Sequence, residues 1–232
     1  FVNNIDDETL QEYLQRYHVY CCVLTQSLNK PADCSIIDQA IYFRGEHIID
    51  LKDIKIVGDH NVQNIMIATT ICLVAGVSPQ VIKDVVSHFK GVEHRIEFVR
   101  EYNGVRVYND SKATNILATK MALSGFETAK VVLLAGGLDR GNTFDELVPS
   151  LKGIKAMIVF GQTKEKLIDA GKKAGIETIV TADSVEQAVP LALENSTDGD
   201  VILLSPANAS WDQYPNFETR GNRFMEVVNQ LK

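Results

Sequence analysis

The sequence predicts an α/β protein, with a doubly wound parallel sheet in residues 96–232 preceded by an incomplete α/β segment in residues 1–90. Strands and helices alternate over short loops in the second part, which is typical of parallel α/β domains. Three predicted strands there are continuous apolar runs, as expected for strands buried on both faces of a sheet. They are Val131 to Ala135, Ala156 to Phe160 and Val201 to Leu204. With 45% apolar and 23% charged residues, the 232-residue chain has a globular composition.

The first part contains three predicted helices and three predicted strands, which do not form an obvious closed sheet. Gly76 ends the second helix, and Ser78-Pro79 is a typical start for the third. The helices cover residues 9–17, Val62 to Ala75 and Ser78-Pro79 to near Phe89, and the strands are His18 to Leu24, Ile36 to Phe43 and His47 to Leu51. We therefore expect residues 1–90 to be the trailing half of a domain.

A change of pattern separates the two parts. Residues 91–95 have no strong period and are interpreted as a hinge. After them, two alternating runs flank Asn103-Gly104, the strongest short hairpin signal. The remaining predicted elements are the hairpin strands Ile96 to Tyr102 and Val105 to Asn109, the strand Thr178 to Thr181, and helices over residues 113–124, 144–151, 164–174, 185–195 and 217–231.

Composition excludes several classes of protein. The net charge of −7 disfavours duplex nucleic acid as a partner. The longest apolar stretch, Ile65 to Val77, is shorter than the roughly 20 residues that cross a bilayer. No secretory signal opens the chain, and because Phe1 stands in place of Met we expect a mature product or a piece of something longer. The four cysteines have no zinc-finger spacing, so we expect reduced, buried thiols in a cytosolic protein.

Polar residues cluster where predicted strands end, which is where ligands bind in such folds. Residues 109–115 (NDSKATN) open a helix. Capping by Asp110 or Ser111 explains part of this run. It does not explain Lys112, because a cation is disfavoured at a helix N-terminus. A site for carboxylate or phosphate is the favoured interpretation.

Two later loops extend this candidate site. Residues 136–142 combine glycines, which allow close backbone approach, with Arg140, whose guanidinium can hold a carboxylate. Residues 205–214 contain small side chains, Ser210 and the only tryptophan; a packed surface loop is the alternative. Arg220 could pair with Glu218 or Asp212.

Two further segments carry candidate residues. His60, Asn61 and Asn64 stand at the start of a helix, where capping is the favoured role for Asn61. His94-Arg95 is either a solvated pair or a cation placed for a nucleotide phosphate. The chain has no GxxxxGK[ST], no GxSxG and no metal-binding spacing, so it has no P-loop of its own.

Together these segments resemble the Mur ligases, the ATP-dependent amide-bond ligases of peptidoglycan synthesis. The resemblance rests on residues 58–64, 93–95 and 109–115, which follow the family's order. Residues 204–213 and 216–221 are similar to the branch of the family that adds D-glutamate. The resemblance covers essentially the whole chain.

The resemblance implies an organisation. Residues 1–90 would be the C-terminal part of the central ATP-binding domain, and residues 96–232 the complete Rossmann-like C-terminal domain, which binds the incoming amino acid. The P-loop, the carbamylated lysine and the Mg2+ ligands would lie upstream of Phe1, leaving no metal ligand in this chain. The fragment alone is expected to be inactive.

It also implies residue roles. ATP would be bound by His60, Asn61, Asn64, Arg95 and Asp110. D-Glutamate would be bound by Thr114, Arg140, Ser210 and Phe217, and Lys112 and Arg95 would act at the reacting groups. Better-known members carry lysine at the position of Arg140.

The implied reaction joins D-glutamate to UDP-N-acetylmuramoyl-L-alanine through an acyl phosphate. The partners would be these small molecules and ATP, for a cytoplasmic monomer with no nucleic acid and no membrane insertion. Two alternatives stay open: a related Mur or folylpolyglutamate ligase, and a non-catalytic α/β binding module.

Overall fold

The computed structural model describes residues 1–231, which form two compact units, Phe1–Lys90 and the chain from Gly91 onward. Both units are α/β, as the sequence predicts. None of the helices within residues 1–231 combines the length and apolar character that a bilayer crossing requires.

The first unit is a five-stranded sheet with three helices. Its strands are β1 (Val2–Asn4), β2 (Leu24–Ser27), β3 (Cys34–Ile37), β4 (Ala40–Phe43) and β5 (Glu46–Asp50), in that spatial order. The first three strands are parallel, and β3, β4 and β5 are antiparallel. The helices are α1 (Glu8–Arg16), α2 (Asp59–Val74) and α3 (Pro79–His88). Ile41, Ile48, Ile49 and Met66 form the centre of its core.

Three predictions for this unit are wrong. The run from His18 to Leu24 is not a strand, because the strand begins at Leu24. Cys21 and Cys22 are exposed thiols, although buried thiols were expected. The single strand predicted over residues 36–43 is instead the hairpin β3–β4, turned by Asp38 and Gln39 at φ 47° and 61°. Such a turn normally uses glycine or asparagine, so the sequence carried little signal for it.

The second unit is a six-stranded sheet in the order β10-β9-β8-β11-β7-β6. Its strands are β6 (Glu97–Tyr102), β7 (Val105–Asn109), β8 (Val131–Gly136), β9 (Ala156–Phe160), β10 (Ile179–Thr181) and β11 (Val201–Leu204). Its helices are α4 (Ile116–Leu123), α5 (Val148–Leu151), α6 (Lys164–Ala174), α7 (Val185–Glu194) and α8 (Phe217–Gln230). All neighbouring strands are parallel except the hairpin β6–β7.

The strongest sequence signals in this unit are confirmed. Every residue of β8, β9 and β11 is buried, which explains their uninterrupted apolar character. Asn103 and Gly104 turn the β6–β7 hairpin at φ 50° and 75°. Two predicted helices are shorter than expected, since the one predicted over residues 144–151 begins only at Val148 and the one predicted over residues 113–124 begins at Ile116.

The order of the strands determines where a ligand site can form. The chain passes from β7 to β8, β9 and β10, and then returns so that β11 lies between β7 and β8. This reversal is a topological switch point, and its crevice lies at the carboxyl ends of the strands.

Candidate functional site

The residues that follow β7, β11 and β8 are joined by hydrogen bonds at one edge of the sheet. The amide of Asp110 donates to the carbonyl of Leu204 at 2.7 Å, and the amide of Gly136 donates to the carbonyl of Pro206 at 3.0 Å. The three polar loops that the sequence singled out in residues 109–115, 136–142 and 205–214 therefore meet in the second unit.

Asp110 lies at the bottom of this edge. Its side chain is buried; Oδ2 accepts from Ser205 Oγ at 2.8 Å, and Oδ1 accepts from the amide of Ile96 at 3.3 Å. Burial raises the pKa of Asp110 to about 7, and the hydrogen bonds and the charges of Arg95 and Arg220 oppose that shift. Arg95 itself is exposed. The charge of Arg95 thus acts on the carboxyl group of Asp110.

Asp110 and Ser111 do not cap the following helix, so that alternative is wrong. The cap of α4 is Asn115, whose Oδ1 accepts from the amide of Ala118 at 2.9 Å. Asp110 and Ser111 precede the helix by several residues and are buried in the sheet edge instead. Lys112 is therefore not in a helical first turn.

Arg220, on α8, is fully buried and holds this edge together. Its guanidinium donates to the carbonyls of Ser111 at 2.8 Å, Asn208 at 3.1 Å and Gly136 at 3.3 Å, and its Nε donates to Ser111 Oγ at 3.0 Å. Burial lowers its pKa to about 10, which the charges of Asp212, Tyr214 and Asp110 oppose. The expected ion pair with Glu218 or Asp212 is not formed within residues 1–231, because backbone carbonyls occupy the guanidinium.

The loop that carries Arg140 packs tightly on the loop that carries Ser210. A Cβ on Gly137, at φ 145°, would lie 2.2 Å from the carbonyl oxygen of Ala209. The next amide, of Leu138, donates to that same carbonyl at 2.9 Å. Glycine is required at this position because only it permits both the torsion angle and the approach.

The four residues predicted to bind D-glutamate lie along this edge and differ in their exposure to solvent. Arg140 is exposed, and Cζ of its guanidinium lies 4.8 Å from the centroid of the Trp211 ring. Ser210 is buried, and its hydroxyl has no hydrogen-bond partner within residues 1–231. Thr114 and Phe217 are partly buried. Lys112 is exposed, with Nζ 5.8 Å from the centroid of the Phe217 ring.

The linker enters the second unit through His94, which is buried and not solvated. Its Nδ1 accepts from Asn109 Nδ2 at 2.8 Å, and its carbonyl accepts from the amide of Lys112 at 3.0 Å. Its ring meets the Phe217 ring edge-on, with centroids 6.1 Å apart. The solvated-pair interpretation is therefore wrong for His94, whereas Arg95 is exposed.

The remaining three predicted residues belong to the first unit. Helix α2 begins after Gly58, so His60, Asn61 and Asn64 all lie in its first two turns. Asn61 does not cap the helix with an oxygen; its Nδ2 donates to the carbonyl of Val57 at 2.7 Å and ties the preceding loop to the helix. Asn64 is exposed.

Several residues that shape the edge were not among the predicted site residues. Asn109, Ser205 and Arg220 are buried polar side chains, and the ring of Trp211 makes a cation–π contact with Arg140. For Asn109 and Ser205 a signal existed, since each is a polar residue at the end of an apolar strand. No local pattern indicates the burial of Arg220, whose partners come from three separate loops.

The described residues contain no group of three or more His, Cys, Asp or Glu side chains arranged to hold a metal ion. Two surface pockets of the second unit are lined mainly by polar and charged side chains. One of about 170 Å³ contains the ion pair of Lys173 with Asp145, and one of about 280 Å³ contains Gln162 and Asp212.

Sequence comparison identifies the relatives of this chain. A family model described as the Mur ligase, glutamate ligase domain matches residues 94–208. The UDP-N-acetylmuramoylalanine–D-glutamate ligase of Enterococcus hirae is 54% identical over 98% of this chain and 50% of its own length. The enzyme of the same name from Enterococcus faecalis is 55% identical over 85% of this chain and 43% of its own length. The chain thus spans about half the length of the curated relatives it matches.

Solved structures with the same fold belong to the same group of ligases. The UDP-N-acetylmuramate-alanine ligase of Thermotoga maritima superposes with a TM-score of 0.65 at 17% identity, over 100% of this chain and 52% of its own. The MurF ligase of Thermotoga maritima in complex with ADP gives a TM-score of 0.66 at 16% identity, over 99% and 53%. At these identities the similarity supports the fold. The matched domain at residues 94–208, together with the 54% identity to a named ligase over 98% of this chain, shows that the chain is similar to the Mur ligases over nearly its whole length.

Proposed function

We propose that this chain is part of an ATP-dependent ligase that adds D-glutamate to UDP-N-acetylmuramoyl-L-alanine, and that it supplies the D-glutamate pocket and part of the ATP site. One observation carries the proposal. At the switch-point edge of the second unit, the exposed cations Arg140 and Lys112 and the unpartnered hydroxyl of Ser210 lie on three loops that hydrogen bonds join to one another. The chain that builds this edge is 54% identical to a ligase named for D-glutamate.

The chemistry of D-glutamate matches this edge. The amino acid carries two carboxylates, which need cationic or hydroxyl donors once they leave water. Arg140 can hold one carboxylate in a two-pronged hydrogen bond, because its guanidinium has no other hydrogen bond or ion pair within residues 1–231. Ser210 has a buried hydroxyl to donate. Thr114 and Phe217 complete the proposed pocket.

We propose contacts to ATP within each unit. Asn64 is the proposed adenine contact, with His60 and Asn61 shaping the start of α2. Asp110 is the proposed ribose contact. Its oxygens already accept from Ser205 and Ile96, and each can accept a second hydrogen bond. Arg95 is the proposed phosphate contact, as an exposed cation beside Asp110.

The proposed reaction has two steps. The terminal phosphoryl group of ATP passes to the carboxylate of the nucleotide-linked L-alanine, and ADP departs. The amine of D-glutamate then attacks the acyl carbon, inorganic phosphate leaves, and the amide forms with loss of a proton. Lys112 and Arg95 stabilise the negative charge that accumulates on the phosphoryl and acyl oxygens.

The linker ends at His94. Contacts with Asn109 and Lys112 fix His94 to the second unit. We therefore narrow the proposed hinge from residues 91–95 to residues 91–93, which precede this anchor. The proposed reaction requires a site that excludes water, which otherwise hydrolyses an acyl phosphate.

The proposal also covers the metal ion, the cellular location and the binding partners. Mg2+ would accompany ATP, but residues 1–231 offer no cluster of metal ligands, so no step is assigned to it in this chain. We propose a cytoplasmic monomer that binds only small molecules, since ATP and the nucleotide-linked substrate are intracellular metabolites.

The test is an amino-acid exchange assay on the full-length ligase that contains this chain. We expect phosphate release to require ATP, UDP-N-acetylmuramoyl-L-alanine and D-glutamate together. Arg223→Ala, which removes an exposed arginine paired with Glu226, serves as the control for the loss of a surface cation in Arg140→Ala. A preference for another amino acid would support a related Mur or folylpolyglutamate ligase, and absence of turnover would support a binding module.

A further inference from the structure

We propose that Trp211 is a positioning residue that presents the guanidinium of Arg140 to a carboxylate of the incoming amino acid. The ring centroid lies 4.8 Å from Cζ of Arg140, within the range of a cation–π contact. The inference rests on the proposed function, because it concerns how the same site grips its substrate.

The backbone on the arginine side of this contact is fixed. Asp139 Oδ1 accepts from Lys166 Nζ at 2.8 Å and from the amide of Gly141 at 2.8 Å. The amide of Leu138 donates to the carbonyl of Ala209 at 2.9 Å. Arg140 thus stands between anchored neighbours, and only its long side chain is free to move.

The tryptophan side is equally fixed. The carbonyl of Ser210 accepts from the amides of Gln213 at 3.0 Å and Tyr214 at 2.8 Å, which closes a turn around Trp211. The carboxylate of Asp212 accepts from the amide of Gln162 at 3.0 Å. Trp211 is nevertheless 64% exposed, so packing into a core does not account for the orientation of its ring.

The contact with Trp211 does not require the N–H donors of the guanidinium. The cation lies over the face of the aromatic ring, whereas a carboxylate binds in the plane of the guanidinium through paired N–H donors. Within residues 1–231, no side chain occupies those donors of Arg140. The ring therefore restricts the arginine to fewer rotamers without competing for substrate, which lowers the entropy lost on binding.

The kinetic test is a double-mutant cycle in the full-length ligase, with Trp211→Leu, Arg140→Ala and the double variant. We expect Trp211→Leu to raise KM for D-glutamate about 2- to 5-fold, the fold-change equivalent to an exposed cation–π contact, and to leave kcat and KM for ATP unchanged. Trp211→Phe, which keeps an aromatic face, should restore most of the affinity. In the Arg140→Ala background, loss of the ring should have no further effect. Equal effects of leucine and phenylalanine, or additive effects in the double variant, overturn the inference.

A second measurement separates this inference from the proposed function. In the NMR spectrum of the same ligase, the Arg140 side-chain resonances, assigned from the Arg140→Ala spectrum, should show ring-current shifts that are retained in Trp211→Phe and lost in Trp211→Leu. Unshifted resonances in the parent protein overturn the positioning role even if D-glutamate is the substrate. Shifted resonances in an enzyme that does not use D-glutamate reject the proposed function while supporting the contact.

Discussion

The hydroxyl of Ser205 donates to Oδ2 of Asp110 at 2.8 Å, which links the ends of two neighbouring parallel strands inside the second unit. Both side chains are buried, and Thr119 Oγ1 lies 3.1 Å from the same hydroxyl. The carboxyl group at the centre of the proposed nucleotide site is therefore held in a partly desolvated polar network. Its protonation should be measurable through folding stability.

The raised pKa of Asp110 predicts a specific pH dependence. Between the unfolded value of about 4 and the folded value of about 7, the folded protein holds a proton that the unfolded chain has lost. This contribution to stability is fully present below pH 4 and is lost as pH rises to 7, by at most about 1.4 kcal/mol per pH unit. Asp110→Asn should flatten that slope. Unfolding can be followed by the fluorescence of Trp211, the only tryptophan of the chain.

The control for this experiment is Asp198→Asn, which changes an exposed carboxylate. It should keep the slope of the parent protein. An identical slope in Asp110→Asn and the parent protein would mean that Asp110 does not hold a proton in this range.

Loss of Arg220 should destabilise the second unit. Arg220→Met keeps much of the side-chain length but leaves the carbonyls of Ser111, Asn208 and Gly136 without their donor. Since each unsatisfied buried acceptor costs about 1–3 kcal/mol, we expect the free energy of unfolding to fall by at least about 3 kcal/mol. Chemical denaturation measures it. Arg223→Met, an exposed arginine on the same helix, should change little, and equal midpoints for the two variants would contradict the anchoring role.

Replacement of Gly221 by alanine should destabilise the protein, although Gly221 lies in helix α8. Helix propensity alone favours alanine by about 1 kcal/mol. A Cβ on Gly221, however, would lie 2.3 Å from Nδ1 of His94. We expect Gly221→Ala to lower the thermal midpoint, and His94→Ala in the same chain to relieve part of that loss. A more stable Gly221→Ala protein would show that the helix and His94 are not packed in this way.

Arg95→Ala should impair ATP-dependent turnover in the full-length ligase. The loss of a charged hydrogen bond to phosphate corresponds to about 10- to 100-fold in kcat/KM for ATP. Because the charge of Arg95 lowers the pKa of Asp110, the apparent pKa of Asp110 should also rise. Arg106→Ala, at an exposed position on β7, is the matched control. An unchanged turnover rate removes Arg95 from the site.

Sequence reasoning succeeded where burial or turn chemistry dictates the backbone. The strand from Ala156 to Phe160 is apolar throughout because both its faces are covered, and Asn103-Gly104 adopts the positive φ angles of a tight hairpin. It failed where the signal was weak or misleading. The apolar run before Leu24 is exposed loop, whereas the following strand LTQS is largely polar.

In the candidate site, too, some features could be predicted from the sequence and others could not. The strand-end loops could be predicted to meet, because parallel strands end at one edge. The burial of Arg220 could not be predicted, because the carbonyls that accept its hydrogen bonds come from three loops that are distant in sequence. The Arg140–Trp211 contact likewise depends on how two loops pack around Gly137. The assignment of individual residues to ATP or D-glutamate remains a prediction.

The most direct test of the central claim is the pair of KM values, for D-glutamate and for ATP, in the Arg140→Ala variant of the full-length ligase. Removal of a charged, two-pronged contact to a carboxylate should raise KM for D-glutamate by about 10- to 100-fold. KM for ATP should stay close to that of the parent enzyme. Equal changes in the two constants, or an unchanged KM for D-glutamate, would contradict the assignment of this sheet edge to the amino acid.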